Sequence, residues 1–394
     1  MKKFFIKSIA LSAFIALTGC GGSSSGGASN DDTLDDSFDG STQEEVKVVA
    51  IEAGTHSTMF IKSDGSLWGV GINDKGQLGN ASNTDKSEPI EIMSSGVQSV
   101  STSRYHTMIV KTDGSLWATG YNFIGQLGNG EEYNVSTPIE ILSSGVKSVS
   151  AGYISTLVLK TDGTLWVTGG AGYLPISGDR IKYNELKEIE QDVKSVSASD
   201  STLFHLAVKT DGSLVAVGTN GSGQLGNGST DDISGIYMVE VVSSGVTSVS
   251  AGGGFTMFIK DDGSLWGMGE SSSGQLGTGY GDALNNQTSP VQMLASDVEA
   301  VYTGSSHTMI LKADGSLWAA GNGDNNRLGT GSTTDYLTPT EIISSDVSMA
   351  AAGTAHTVIL KDDGSVWAVG LNDHGQLGDG SEIDALTLIE IALP

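Results

Sequence analysis

The chain has 394 residues, a formal net charge of −26 at pH 7 and one cysteine, Cys20. A chain this acidic repels nucleic acid and anionic lipid surfaces, so we expect no DNA or RNA partner. A single thiol cannot form an intrachain disulfide, so the stability of the fold must come from packing.

The first twenty residues have the pattern of an export leader. Lys2 and Lys3 give a basic start, residues 4–17 are mostly apolar, and Gly19 and Cys20 end the run. The apolar run is too short for a spanning helix. The leader resembles the bacterial lipoprotein signal, which implies that residues 1–20 are a signal peptide and that Cys20 carries the lipid. Because Gly21 rather than aspartate follows, this resemblance favours the outer membrane of the cell envelope.

Residues 21–45 are rich in glycine, serine and acidic residues and contain no lysine or arginine. Low hydrophobicity with charge of one sign predicts a flexible acidic linker. No later apolar run reaches the 18 residues typical of a membrane span. We therefore expect the remaining chain to touch the membrane only through the lipid on Cys20.

Residues 46–394 contain seven copies of one segment. An Asp-Gly pair marks each copy, and consecutive aspartates are 49 to 52 residues apart: Asp64, Asp113, Asp162, Asp211, Asp262, Asp314 and Asp363. A period near fifty residues with several short strands per copy is typical of a propeller. The predicted fold class is therefore all-β, a seven-bladed β-propeller with four-stranded antiparallel blades.

Each copy is expected to form strands a, b, c and d in that order. The Asp-Gly pair joins strands b and c, and we expect it to supply the positive φ angles of a two-residue hairpin turn. Strand d often contains proline, which we expect at its start. All six tryptophans occupy one position of strand c, which predicts that they fill the wedges between blades: Trp68, Trp117, Trp166, Trp266, Trp318 and Trp367, with Val215 in the fourth copy.

A Gly-Gln-Leu-Gly motif follows strand c in five copies, and a Gly-x-x-His segment stands at the start of strand b in two. Together these motifs resemble the regulator of chromosome condensation repeat family across about residues 46–394. The resemblance implies a seven-bladed propeller and a structural, hydrogen-bonding role for the repeat histidine. The third copy lacks the glycine motif and the fourth lacks the tryptophan.

Histidine stands at the equivalent position in only three of the seven copies, as His106, His307 and His356. His56 and His205 lie one position away, and no close-spaced set has the pattern of a metal site. We also find no nucleophile elbow, phosphate loop or paired catalytic carboxylates. The sequence therefore predicts no metal, no cofactor and no catalytic residue.

The loops between strands c and d differ most between copies, and variable loops on a repetitive scaffold are common binding sites. We place a tyrosine in this loop in each of the second to sixth copies, and tyrosine is favoured at interfaces. The candidate partner-binding residues are Tyr133, Tyr183, Tyr237, Tyr280 and Tyr336.

These observations favour a monomeric, non-enzymatic surface or periplasmic lipoprotein whose propeller binds protein or glycan partners in adhesion or scaffolding. Two alternatives stay open. Some propellers of the resembled family act in guanine nucleotide exchange on a small GTPase, although the copies here leave little room for a projecting wedge. Propellers also host polysaccharide-active enzymes.

Overall fold

The computed structural model of the chain describes residues 45–173 and 180–394. In this part, seven four-stranded antiparallel sheets form a closed ring, and each sheet is built from one repeat. Two short 3₁₀ helices, Ala283–Asn285 and Asp324–Asn326, interrupt the loops. The predicted seven-bladed propeller is confirmed.

Within each blade the strands follow chain order, and the a strands of successive blades contact one another around the central channel. Strands a are Val48–Ala53, Val97–Thr102, Val146–Ala151, Val193–Ala198, Val246–Ala251, Val298–Thr303 and Val347–Ala352. Strands b are Ser57–Lys62, His106–Lys111, Ser155–Lys160, Phe204–Lys209, Phe255–Lys260, His307–Lys312 and His356–Lys361. Strands c are Leu67–Gly71, Leu116–Gly120, Leu165–Tyr173, Leu214–Gly218, Leu265–Gly269, Leu317–Gly321 and Val366–Gly370. Strands d are Lys86–Met93, Val135–Leu142, Arg180–Glu190, Val239–Val242, Gln287–Leu294, Tyr336–Ile343 and Ala385–Ile391.

The ring closes between blade 7 and blade 1 without a shared strand in the described residues. Instead, one apolar cluster joins Phe60 and Val70 of the first blade to Val358, Leu360 and Leu377 of the last. A repeat buries both faces of its sheet only against its neighbours, so this seam is held by the same packing as the other six interfaces.

The propeller has two distinct faces. The a–b and c–d loops emerge on one side, which we call the loop face, and the b–c turns and d–a links form the opposite turn face. The described chain enters at the turn face, because the Lys47 amide donates a hydrogen bond to Ser63 Oγ and the Lys47 carbonyl accepts one from the Ser63 amide.

The aspartates of the b–c connection organise the turn, as predicted. Asp64 Oδ1 accepts a 2.9 Å hydrogen bond from the Ser66 amide, and the equivalent bond recurs in all seven blades. The predicted turn type is wrong, however, because only the glycine of the pair has a positive φ, 79° at Gly65. The Gly65 amide bonds the Lys62 carbonyl, and the Lys62 amide bonds the Ser66 carbonyl. This is a type I turn followed by a glycine bulge.

The tryptophans lie between neighbouring sheets, as predicted. Trp318 of blade 6 packs against an apolar cluster that includes Phe255 and Leu276 of blade 5. Its indole nitrogen donates to Ser316 Oγ at 2.9 Å, and Lys312 Nζ lies 3.6 Å from the ring centroid. The same lysine-over-indole arrangement recurs at the other five tryptophans.

The prolines do not open strand d, so that expectation is wrong. Pro89 lies inside Lys86–Met93, where Gly69 pairs with Ile90 and Gly71 with Lys86, a register shift that marks an irregularity in the ladder. Strand d is the outer edge of the blade, and a bulged edge strand tolerates a residue without an amide hydrogen.

The predicted leader of residues 1–20 with Cys20, and residues 21–44 of the predicted linker, lie outside the described residues. Within the described ranges, none of the helices has both the length and the apolar character that crossing a bilayer requires.

Candidate functional site: the loop face

Four of the seven c–d loops are each organised by a buried asparagine. Asn73 Oδ1 accepts from the Leu78 amide at 2.9 Å, and Asn73 Nδ2 donates to Asn80 Oδ1 and to the Ser82 and Thr84 carbonyls. The leucine amide is bound in the same way by Asn122, Asn220 and Asn372. Since one side chain ties together several backbone groups, these loops hold side chains on the loop face in fixed positions.

A belt of buried histidines links neighbouring blades beneath these loops. His106 Nε2 of blade 2 lies 2.8 Å from Thr156 Oγ1 of blade 3, whose hydroxyl hydrogen is donated to the Gln126 carbonyl at 2.7 Å. Nε2 must therefore be the donor. His205, His307 and His356 make equivalent bonds to a hydroxyl of an adjacent blade.

Burial lowers the pKa of His106, His307 and His356 to about 3 and that of His205 to about 4. These four rings are neutral interblade connectors at physiological pH. Their structural role matches the one that the repeat resemblance implied.

The central channel is covered on the loop face by a loop of blade 4. The a–b connection there runs from residue 199 to 203, two residues longer than in the other blades. It reaches across the channel mouth, where Asp200 Oδ2 accepts a 3.3 Å bond from Thr55 of blade 1 and Ser201 Oγ meets Ser305 of blade 6 at 2.9 Å.

Beneath this loop lies Glu52, on the channel wall with Asp200 and Tyr302. Burial, and secondarily the nearby Asp200 charge, raises the pKa of Glu52 to about 8. Burial also raises the pKa of Asp200, although hydrogen bonds from Ser201 and Thr55 oppose the shift. The channel wall therefore holds Glu52 in its neutral form at pH 7 and shifts Asp200 toward the neutral form.

An aromatic patch lies beside the covered mouth, on blades 2 and 3. We define it as Tyr105, Tyr121, Phe123 and Tyr153. The Tyr105 ring centroid is 5.5 Å from that of Tyr121 and 5.6 Å from that of Tyr153, and Phe123 contacts Tyr121 edge-on at 5.2 Å. Phe123 is 54% exposed, and the Arg104 guanidinium lies 5.3 Å from the Tyr105 ring.

The predicted tyrosines do not form one arc. Tyr133, Tyr237 and Tyr280 are 57%, 77% and 58% exposed. Tyr183 and Tyr336 are not in loops, because strands d begin before them, at Arg180 and at Tyr336 itself, and both side chains pack against apolar clusters. A binding role for the five tyrosines stays a prediction.

At the seam between blades 7 and 1, two histidines and two carboxylates meet on the loop face. His56 Nδ1 lies 3.6 Å from Asp373 Oδ1, and His374 Nδ1 lies 2.7 Å from Asp85 Oδ2. The two imidazole centroids are 5.0 Å apart at an interplanar angle of 65°. His56, Asp373 and His374 each offer one ligand atom within 4.8 Å of the others. The sequence analysis did not group these residues.

Comparison with known proteins identifies the family to which the repeat belongs. One profile of the regulator of chromosome condensation (RCC1) repeat matches residues 64–110, 113–159, 262–311 and 314–360. A second profile of this repeat matches residues 97–126, 246–275, 298–327 and 347–376, and together the two cover more than half of the chain. The chain belongs to the regulator of chromosome condensation repeat family.

Members of the RCC1-repeat family with similar sequences match over only part of their length. The ultraviolet-B receptor UVR8 of Arabidopsis thaliana is 34% identical over 136 residues, 33% of this chain and 30% of that protein. Protein RCC2 of Homo sapiens is 29% identical over 152 residues, 37% of this chain and 28% of that protein. The human E3 ubiquitin-protein ligase HERC2 is 28% identical over 135 residues, 33% of this chain and 3% of that protein. The chain thus matches less than a third of each relative's length.

Solved structures with the same architecture include Prp20p of Saccharomyces cerevisiae, with a TM-score of 0.72, 17% identity and coverage of 88% of each chain. Human WBSCR16 has a TM-score of 0.71 and 20% identity, covering 84% of this chain and 94% of that one. At these identities the likeness shows the fold. This chain is an RCC1-repeat propeller.

Sequence reasoning missed the aromatic patch of this RCC1-repeat propeller. The prediction placed the binding residues in the c–d loops, which vary in length, whereas Tyr105 and Tyr153 lie in the short a–b loops of adjacent blades. The signal that would have found them was two tyrosines just before strand b in consecutive copies, facing Tyr121 and Phe123 after strand c.

Proposed function

We propose that this propeller is a non-enzymatic protein-binding module and that its loop face contacts the partner. The aromatic patch carries the proposal. Tyrosine, phenylalanine and arginine are enriched at protein interfaces, and aromatic anchors contribute a large share of binding energy. In the patch, the aromatic rings hold one another in place, and Arg104 adds a cation to an otherwise strongly acidic chain.

The surroundings of the patch support a partner that lies across several blades. A shallow groove begins at Tyr153, follows the blade 4 loop at Ser201 and Thr202, and ends near Glu270 of blade 5. Its walls are loop residues, several of them fixed by interblade hydrogen bonds such as Thr202 Oγ1 to the Gly253 carbonyl. A preformed surface loses less conformational entropy when a partner binds.

A structural relative supports a protein partner rather than a glycan. The structure of Prp20p from Saccharomyces cerevisiae was reported together with its binding properties to Gsp1p and histones. Nucleotide exchange on a small GTPase and action on polysaccharide remain the alternatives to binding alone. Either alternative requires that the purified propeller shows catalytic activity when the small GTPase or the polysaccharide is added to it.

The test first captures envelope proteins with the purified chain and identifies the partner. The affinity for this partner is then measured for the parental chain and for the double variant Tyr105→Ala, Phe123→Ala. We expect at least a tenfold loss of affinity, because anchor truncations typically cost about 2 kcal/mol or more. The thermal midpoint should change far less than the affinity, because Phe123 is 54% exposed and Tyr105, although half-buried, lies in a surface loop.

The matched control is Tyr133→Ala with Tyr280→Ala, which removes two exposed loop tyrosines outside the patch. It should keep the parental affinity. Binding lost in the control but kept in the patch variant would assign the interface to the tyrosines predicted from the sequence. If the purified chain captures glycan and no protein, the partner is a glycan and the proposed partner class is wrong.

We further propose that the chain is a lipoprotein of the cell envelope anchored through Cys20. The support is the leader pattern of residues 1–20, with Cys20 as the only cysteine. Cys20→Ser should move the protein from the detergent phase to the aqueous phase in Triton X-114 partitioning. Ser23→Cys in the Cys20→Ser background serves as the control, because it restores a thiol outside the leader motif and should stay in the aqueous phase. Unchanged detergent partitioning of Cys20→Ser would exclude the anchor.

A further inference from the structure

The cluster at the seam between blades 7 and 1 has the composition and spacing of a transition-metal site. We propose that His56, His374 and Asp373 bind a divalent transition-metal ion such as Zn²⁺. Their ligand atoms lie within 4.8 Å of one another, and His56 Nδ1 and Asp373 Oδ1 are already 3.6 Å apart. Ligands at about 2.0–2.2 Å from a tetrahedral zinc are themselves about 3.3–3.6 Å apart. Small rotations of the three side chains would bring their ligand atoms to this spacing.

The hydrogen bonds around the cluster leave one ring nitrogen of His374 free to coordinate a metal. Asp85 Oδ2 accepts from His374 Nδ1 at 2.7 Å, which places the proton on Nδ1 and leaves the Nε2 lone pair for a metal. Asp85 is itself held by the backbone amide of Asn73, which donates to Asp85 Oδ1 at 2.8 Å. A carboxylate that orients a ligating histidine in this way is the usual outer-shell arrangement of zinc sites.

The other two ligands are also positioned. Gln376 Nε2 donates to Asp373 Oδ1 at 3.1 Å, and Gln376 Oε1 accepts from the His374 amide at 2.9 Å. His56 Nδ1 is buried and has no hydrogen-bond partner. A buried polar atom without a partner is costly, and coordination would satisfy it.

The charges and exposures fit a divalent ion that keeps an open position. Asp85 and Asp373 contribute two negative charges and Arg104 one positive charge near His56. The side chain of His56 is 15% exposed, whereas that of Asp373 is 51% exposed, so one side of the cluster faces solvent. Three protein ligands of the N₂O type suit zinc, copper or nickel rather than calcium or magnesium. Solvent or a partner's side chain would complete the coordination.

The cluster exists only in the closed ring. Asp85 and His374 are 289 positions apart in the chain, and His56 comes from the first blade whereas Asp373 and His374 come from the last. A metal held here would therefore connect the two ends of the propeller body. None of the other six blade interfaces places such a set of ligands together among the described residues.

The test is calorimetric titration of the full chain with Zn²⁺, without a histidine tag and with Cys20→Ser so that the thiol cannot contribute. We expect one equivalent to bind. His56→Ala or His374→Ala should abolish this binding, and Asp85→Asn should weaken it about 10- to 100-fold, as outer-shell changes do. Asp74→Asn is the matched control, because Asp74 occupies the position of Asp373 in the blade 1 loop and also bonds its loop glutamine. It should bind Zn²⁺ as the parent does.

A second measurement does not depend on the folding of variants. Zn²⁺ should protect His56 and His374 of the parental chain from diethyl pyrocarbonate, as mapped by mass spectrometry. Equal modification of both histidines with and without Zn²⁺ would overturn the proposal. Parental affinity in a His56→Ala, His374→Ala double variant, or no saturable Zn²⁺ binding by the parental chain, would overturn it as well.

Discussion

Lowering the pH from 6.5 to 5 should reduce the free energy of unfolding by several kcal/mol. The four belt histidines have a pKa of about 3 or 4 in the folded chain, against 6.5 for the free side chain. Between these values only the unfolded state binds the proton, so acid favours unfolding. Each such histidine contributes a slope of about 1.4 kcal/mol per pH unit. This stabilising contribution is fully present above pH 6.5 and is lost as the pH falls.

Glu52 has the opposite effect on how the free energy of unfolding changes with pH. Its pKa of about 8 in the folded chain lies above the ordinary value of 4.5, so the folded state holds a proton that the unfolded state has released. Its contribution to stability is present below pH 4.5 and is lost as the pH rises through 8. Glu52→Gln should therefore steepen the acid loss and raise stability at pH 9.

Urea unfolding midpoints at pH 9.0, 7.5, 6.5, 5.5 and 5.0 measure both effects. His106→Ser is the internal control, because Ser57 and Ser155 occupy the equivalent position in blades 1 and 3. This variant should lose about a quarter of the histidine slope. A midpoint that stays constant from pH 7.5 to 5.0 would show that the histidines are not buried in their neutral form.

Trp318→Ala should destabilise the propeller by about 3 kcal/mol, at the lower end of the cost of removing a core aromatic. The indole fills the space between blades 5 and 6, stacks under Lys312 and donates to Ser316. The lower end applies because the ring is only partly buried. Chemical unfolding of the purified chain at pH 7.5 gives the value.

Trp318→Val is the matched control, because Val215 fills the same repeat position in blade 4. It keeps some apolar contact and should cost less than the alanine variant. Neither change should affect partner binding, since the ring lies at the turn-face end of the blade, bonded to a b–c turn residue. Parental stability of Trp318→Ala together with lost binding would instead place the tryptophan in a ligand site.

The fold could be predicted because its determinants are local and repeated. Strand a sets valines among small or polar residues, as at Val146–Ala151, and the Asp-Gly pair fixes each b–c connection. The errors concern features that local pattern does not decide. The turn type depends on whether Asp64 joins Gly65 at positive φ, and the position of Pro89 depends on a bulge in its pairing with strand c.

The candidate site could be predicted only as a face. The loop face follows from strand order, but which side chains meet there depends on how seven blades are placed around a ring. Tyr105 meets Tyr153 because consecutive a–b loops are neighbours, and His56 meets His374 because the last blade returns to the first. The two-residue extension that carries Asp200 across the channel was visible in the sequence, but its contact with Thr55 on blade 1 was not.

The point at which the described chain enters the body decides which face of the propeller lies nearest to the attachment of any N-terminal anchor. Lys47 is bonded to Ser63, so the described chain begins at the turn face. An anchor at Cys20 would then tether the propeller from its turn face. The aromatic patch and the seam cluster would lie on the side opposite the attachment, where the tether does not obstruct a partner.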